Sequence, residues 1–227
     1  MASVRFLGHA AFEVSMGGKR ILIDPFLTGN PMAAAKPAEL KPDYIVVTHG
    51  HSDHLGDTVD IALRTGATVI APYEVALYCD KKGAKIHPMH VGGAYTFDFG
   101  VLRLTPAFHG SDILEGDTLI PGGNPSGVII EAEGKTLYHA GDTGIFGDMK
   151  LIGELYKPDV ALLPIGGNFT MNIKDAAYAT KLLKPKVAIP MHYNTFDLIK
   201  ADPEEFAQLV EPPTQVVILK PGDSYSF

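Results

Sequence analysis

The feature that most restricts the fold of this chain is an alternation that sets in at Asp43. Apolar runs of strand length, YIVVT (44–48), TVIAP (68–72), VALLPI (160–165) and KVAIP (186–190), are mostly followed by segments whose apolar residues return with a helical period. Strands buried on both faces read as continuous apolar runs, so the pattern predicts alternating β and α units. Helices are expected over Asp57 to Arg64, Tyr73 to Lys82, Phe146 to Tyr156, Asn172 to Leu183 and Pro203 to Val210. Asp57, Asn172 and Asp202 are the candidate N-caps, and Pro158 and Pro185 stand just past two C-termini. Upstream of Asp43 the pattern is different. Ser3 to Leu7 and Ala11 to Met16 read as strands, and Gly17-Gly18 before KRILID reads as the tight turn of an N-terminal meander.

A chain of 227 residues fits one domain, so residues 1–227 are expected to share one architecture. The formal charge of −7, with no local run of Lys and Arg, repels phosphate backbones and argues against a nucleic-acid partner. No apolar run approaches the ~20 residues that span a bilayer, so membrane insertion is not expected. The start, MASVRFLGHAAF, lacks the basic and apolar regions of a signal peptide, and Cys79 has no second cysteine to pair with. These features together predict a cytoplasmic protein.

The chemistry is concentrated where YIVVT runs into HGHSDHLGD. His49, His51, Asp53 and His54 form an HxHxDH pattern, three histidines and an aspartate within six residues. Imidazole and carboxylate are natural ligands of zinc and neighbouring divalent metals, and four such groups suffice to begin two sites. Residues two apart on an extended loop point the same way, so His49 and His51 are expected to grip one ion while Asp53 and His54 turn toward a second. Further ligands are available at the carboxyl ends of predicted strands: His109 after VLRLTPAF, Asp142 after KTLYHAG and His192 after KVAIPM. Sites in α/β architectures gather at that rim.

With these residues in order, the chain resembles the metallo-β-lactamase superfamily, whose hallmark is HxHxDH followed by a separate His, a bridging Asp and a final His. LGHAAF, IDPFLTGNP, YHAGDTG, PIGGNFTM and MHYNT extend the likeness toward the small metal-dependent hydrolases related to ascorbate-phosphate lactonases and phosphodiesterase-like lipases. The resemblance implies an α/β fold, a four-layer αββα sandwich. It also implies one ion on His49, His51 and His109, a second on Asp53, His54 and His192, and Asp142 between them. Asp24 in IDPF would orient the HxHxDH loop by hydrogen bonding. His139 is expected to support the site rather than bind metal, and His87, His90 and Cys79 to be ordinary structural residues. His9, Asn168, Tyr193 and Asn194 are candidate substrate contacts. The Gly- and Pro-rich stretch 110–125 is expected as a lid or pocket wall, and 28–37 as a second wall.

The implied activity is hydrolysis. Two divalent ions, zinc first with manganese or iron as alternatives, would share a solvent molecule as hydroxide and polarise the bond of a small-molecule ester, lactone or phosphodiester, with Asp53 as the catalytic carboxylate. An iron-dependent oxidoreductase of the persulfide-dioxygenase kind and a noncatalytic metal-binding protein are the competing classes. A homo-oligomer follows only from the resemblance.

Overall fold

In the computed structural model, which describes residues 1–227, sixteen strands occur. The first eight are β1 (Ser3–Gly8), β2 (Ala11–Met16), β3 (Lys19–Ile23), β4 (Tyr44–Val46), β5 (Thr68–Pro72), β6 (Ile86–Met89), β7 (Ala94–Phe97) and β8 (Gly100–Pro106). They are followed by β9 (Ile113–Glu115), β10 (Thr118–Ile120), β11 (Ser126–Ala132), β12 (Lys135–His139), β13 (Val160–Pro164), β14 (Val187–Met191), β15 (Gln215–Val216) and β16 (Ser224–Ser226). The helices are α1 (Ser52–Leu55), α2 (Thr58–Thr65), α3 (Tyr73–Lys81), α4 (Met149–Tyr156), α5 (Ile173–Leu183) and α6 (Pro203–Leu209).

Two seven-stranded sheets result, ordered β16-β1-β2-β3-β4-β5-β6 and β15-β14-β13-β12-β11-β8-β7. The meander β1-β2-β3 is antiparallel, and β4, β5 and β6 continue it in parallel. In the second sheet β12, β13, β14 and β15 are parallel. The turn between β2 and β3 is Gly17-Gly18, with φ of 58° and 72°, the left-handed pair that a tight hairpin demands.

The period of two along each strand explains the continuous apolar runs. Ile21 and Ile23 of β3, Val128 and Ile130 of β11, and Leu162 of β13 face between the sheets, where they join Phe6, Phe12 and Leu104. Their neighbours face outward. Leu22, Val47 and Val69 pack under α2 and α3 with Ile61, Val75 and Cys79, while Ile129, Ala161 and Leu163 pack under α4, α5 and α6 with Ile152, Leu183 and Phe206. Helix, sheet, sheet and helix therefore stack as four layers, the αββα sandwich that the resemblance implies.

Helix ends follow their caps. The Asn172 side chain accepts from the amides of Lys174 and Asp175, and that of Asp202 from Glu204. Asp57 departs from expectation. Its carboxylate makes no cap bond but accepts from Leu27 N (2.9 Å) and Thr28 N (2.8 Å), so it ties the loop after β3 to the start of α2. Helix α4 begins at Met149, not at Phe146, because the Phe146 ring turns back onto Phe108 and Asp148 takes the N-cap position. Among the helices none is long and apolar enough to cross a membrane.

Candidate metal centre

Every strand that brings a candidate ligand ends at one rim. His49 follows β4, His109 follows β8, Asp142 follows β12 and His192 is the residue after β14. The HxHxDH segment does not stay extended. His51 takes the N-cap position of α1, a single helical turn that sequence reasoning missed, and Asp53 and His54 project from that turn. Asp24 lies beneath. Its buried carboxylate accepts from Thr48 N (2.8 Å) and from Thr48 Oγ1 (2.7 Å) and sits 2.7 Å from His54 Nδ1. Thr48 Oγ1 is in turn 2.9 Å from His49 Nδ1. One aspartate thus holds the loop backbone and fixes the outer nitrogens of two rings, leaving Nε2 of each for the interior. Three site residues other than glycine, His9 (φ 59°), Asp24 (46°) and His192 (55°), occupy the left-handed region, where strain of this kind marks residues held for function.

The ring nitrogens and carboxylates gather into overlapping groups whose ligand atoms lie within 4.8 Å of one another: His49, His51 and His109; His49, His54 and Asp142; and His9, Asp53, His54 and His192. His49 Nε2 and His109 Nε2 stand 3.0 and 3.2 Å from His51 Nδ1. Asp142 reaches across. Its Oδ1 is 3.2 Å from His54 Nε2, and its Oδ2 is 3.0 Å from His192 Nε2 and 3.5 Å from His109 Nε2. Four buried atoms here, His54 Nε2, Asp142 Oδ1 and both nitrogens of His192, have no hydrogen-bond partner. Buried polar atoms are rarely left without a hydrogen bond, and here they crowd at ion-pair distance without hydrogen-bond geometry, an arrangement that fits residues able to surround a cation.

Electrostatics agree with that fit. Burial pushes every histidine of the cluster down, and it prevails at His49, His51 and His109. At His54 and His192 it is overcome. Asp142 and Asp24 hold His54 well above its ordinary value, and Asp142 with Asp53 raises His192 to about 9. Asp142 is held well below the carboxylate range by His192 and His54, against its own burial. Without metal, two protonated rings therefore supply the positive charge that the carboxylates require. Neutral imidazole is the form that binds metal, so loading the centre must release those protons.

The remaining expectations fall differently. His9 does not line the substrate side. It is fully buried at the β1–β2 turn, where the pairing register shifts between Phe6 and Gly8, with Nδ1 2.9 Å from Thr195 Oγ1 and Nε2 3.2 Å from Asp53 Oδ2. Its value falls to about 4 on burial. His139 is buried away from the cluster, 3.0 Å from Ala10 O through Nε2, while Nδ1 accepts from Gly141 N. It fixes the backbone just before Asp142. Tyr193, expected to touch substrate, packs instead in the apolar layer under α4, α5 and α6. The Asn194 side chain is also occupied elsewhere, accepting from Ala201 N (3.0 Å) and closing its own loop. Asn168 is exposed and lies outside the cavity, although its neighbour Phe169 lines it.

The cavity above the cluster has a volume of about 470 Å³ and is bounded by His51, Asp53, His109, Asp142 and His192 on its floor. Its wall comes from 110–125, as expected. That stretch forms the hairpin β9–β10, which presents Asp112, Leu114 and Leu119. The second expected wall does not reach the cavity. Segment 28–37 folds beside β1, where Ala34 N donates to Leu7 O (3.0 Å), and borders a separate depression. Thr48 and Thr195 were invisible as site residues in the sequence. Thr48 carried a signal only through its position next to His49.

Comparison with known proteins places these observations among relatives. The beta-lactamase superfamily domain matches residues 19–193. A UPF0173 metal-dependent hydrolase of Anoxybacillus flavithermus is 55% identical over 205 residues, covering 90% of this chain and 91% of the relative. One from Methanopyrus kandleri is 52% identical over 226 residues, covering 98% of each. Among solved structures, Igni18, a metallo hydrolase of Ignicoccus hospitalis, superposes with a TM-score of 0.90 at 42% identity, over 100% of this chain and 99% of that one.

Proposed function

The chain belongs to the beta-lactamase superfamily as a metal-dependent hydrolase, and from that premise we propose that it cleaves an ester-type bond, in a lactone, carboxylic ester or phosphodiester, of a small molecule at a centre for two divalent ions. His49, His51 and His109 would hold one ion, Asp53, His54 and His192 the other, and Asp142 would serve both. When bound, such ions, zinc or alternatively manganese or iron, bring the pKa of a shared water toward neutrality and polarise the substrate's oxygen.

The chain's own residues do the rest. Asp53 lies on the cavity floor with its side chain 27% exposed, whereas that of Asp142 is 2% exposed. Asp53 is thus the carboxylate that meets both solvent and substrate, placed to orient the attacking water and to take up or relay its proton. His9 holds Asp53 Oδ2 from behind, and Thr195 holds His9. The observation that carries this reading is the convergence of ring nitrogens and carboxylate oxygens of His49, His51, Asp53, His54, His109, Asp142 and His192 below an open cavity.

The test pairs elemental analysis with initial rates on a phosphodiester, a carboxylic ester and a lactone, in the presence of Zn or Mn. Turnover of at least one class that a chelator abolishes, and that metal-replete Asp53→Ala lacks, is the expected result. Absence of turnover on all three by the metal-loaded protein would refute the proposal, as would activity indifferent to chelator.

A further inference from the structure

The walls of this cavity carry a charge imbalance that bears on the substrate, if the hydrolase reading above holds. The segments that form the rim, 49–57, 107–125, 140–148, 165–173 and 191–199, contain no lysine or arginine. Between Arg103 and Lys135 the chain has neither. No lysine or arginine side chain lines the cavity. Pockets that recognise phosphate or carboxylate ordinarily present guanidinium or ammonium groups to the oxygens that do not react, and this one has none to offer.

Asp112 stands in that position instead. It is exposed, lines the cavity and makes no ion pair, whereas Glu115 on the same hairpin is paired with Lys82. The backbone around Asp112 is fixed on both sides. Ser111, buried, accepts from Gly50 N (3.1 Å) and donates to Gly122 O (2.9 Å), which clamps the hairpin base to the HxHxDH loop. Ile113, also buried, anchors in the apolar layer beneath α2 and α3. Asp112 is therefore held at the mouth by its two neighbours rather than being a mobile surface acid. Around it three large apolar side chains stand in solvent, Leu114 (59% exposed), Leu119 (66%) and Phe169 (52%), and all line the same cavity. Clustered exposed apolar groups at a concave opening mark a surface that is covered in use.

We propose that Asp112 is a specificity-determining residue and that the substrate is an uncharged or cationic ester or lactone whose apolar arm lies on Leu114, Leu119 and Phe169. Phosphorylated and other anionic substrates are turned away. The inference selects within the hydrolase reading. It favours carbonyl substrates over phosphodiesters because a phosphodiester brings a permanent negative charge past Asp112 at the mouth.

The experiment uses three acyl esters matched in size: of choline, of its uncharged isostere 3,3-dimethylbutanol, and of a carboxylate-bearing alcohol of similar length. Each is hydrolysed by the Zn-loaded wild type, Asp112→Asn and Asp112→Lys. An exposed ion pair supplies about a fivefold preference, so wild-type kcat/KM should favour the choline ester over the isostere by about that factor and disfavour the anion by a similar one. Asp112→Asn should erase the spread and Asp112→Lys should invert it, with the isostere unchanged. A wild type that prefers the anion overturns the proposal, and so does an order that survives both substitutions. Turnover of the phosphodiester alone overturns the inference. If the metal-loaded protein cleaves neither these esters nor the lactone and phosphodiester of the test above, the hydrolase reading is what fails. The pocket's preference is then read by calorimetry, as hexyltrimethylammonium binding that Asp112→Asn weakens, and equal binding to both proteins overturns the inference on its own terms.

Discussion

Replacing Asp24 by asparagine exchanges one oxygen for an amide nitrogen at a place where three donors already converge. In one orientation the amide oxygen keeps Thr48 Oγ1 and His54 Nδ1, and the NH2 group is set against Thr48 N, now 2.8 Å from Oδ1. In the other orientation the NH2 group faces His54 Nδ1, which must then accept. That forces the proton of a neutral His54 onto Nε2, the nitrogen aimed at the cluster. Either way one or two charge-assisted bonds are lost in a fully buried setting, at about 1.5–3 kcal/mol each, so the variant should lose about 1.5–6 kcal/mol. For a chain of this length that corresponds to a fall in Tm of about 3–24 °C. Metal affinity should fall by about 10–100-fold, the cost of removing a hydrogen bond that orients a ligand. Thermal unfolding of the metal-free protein reads the first effect, and competition against a chelating dye reads the second. A variant whose Tm stays within ~2 °C and whose metal affinity is unchanged would refute the reasoning.

Three further outcomes follow from other parts of the molecule. In the metal-free protein His192 has its value raised from 6.5 to about 9, so its contribution to stability is fully present below pH 6.5 and is lost as pH rises through about 9. His9, lowered to about 4, acts oppositely and removes stability as pH falls from 6.5 toward 4. Melting curves of chelator-treated protein should peak between these limits, and a metal-free Tm that climbs from pH 7 to 9 would contradict the assignment. Cys79 is buried with its thiol pushed up to about 12, so a thiol-reactive dye should label it only after denaturation; rapid labelling of the native protein would be the contrary result. A Cβ on Gly50 would land on the carbonyl of Ser111 and on the Ile113 side chain, so Gly50→Ala should cost about 1–3 kcal/mol in denaturant titration. An unchanged midpoint would show that the hairpin is not clamped there.

What the sequence conveyed was largely what is local. The unbroken apolar character of runs such as 44–48 and 160–165 announced strands covered on both faces. HxHxDH announced its chemistry because four ligand residues within six positions have few other uses. His109, Asp142 and His192 could be placed at one rim because each follows a strand, and strand ends are legible even when strand order is not. The contacts that escaped are those between distant residues. His9 and Thr195, 186 residues apart, meet only because β1 and β14 belong to facing sheets. Tyr193 follows His192 directly, yet the left-handed backbone at His192 sends its ring into the helical layer, a reversal that neighbouring position in the sequence does not reveal. Asp57 had the signature of an N-cap but was claimed by the loop at Leu27 and Thr28, a tertiary bond overriding a local preference.

Zinc titration of the metal-free protein by calorimetry, on the wild type and on His109→Ala, tests the central claim most directly. The account predicts two ions per wild-type chain with proton release on binding, and one tight ion in the variant, because His109 serves only the group with His49 and His51 while Asp53, His54 and His192 remain intact. A wild type that takes up a single ion, or a variant that still binds two with unchanged affinity, would contradict it.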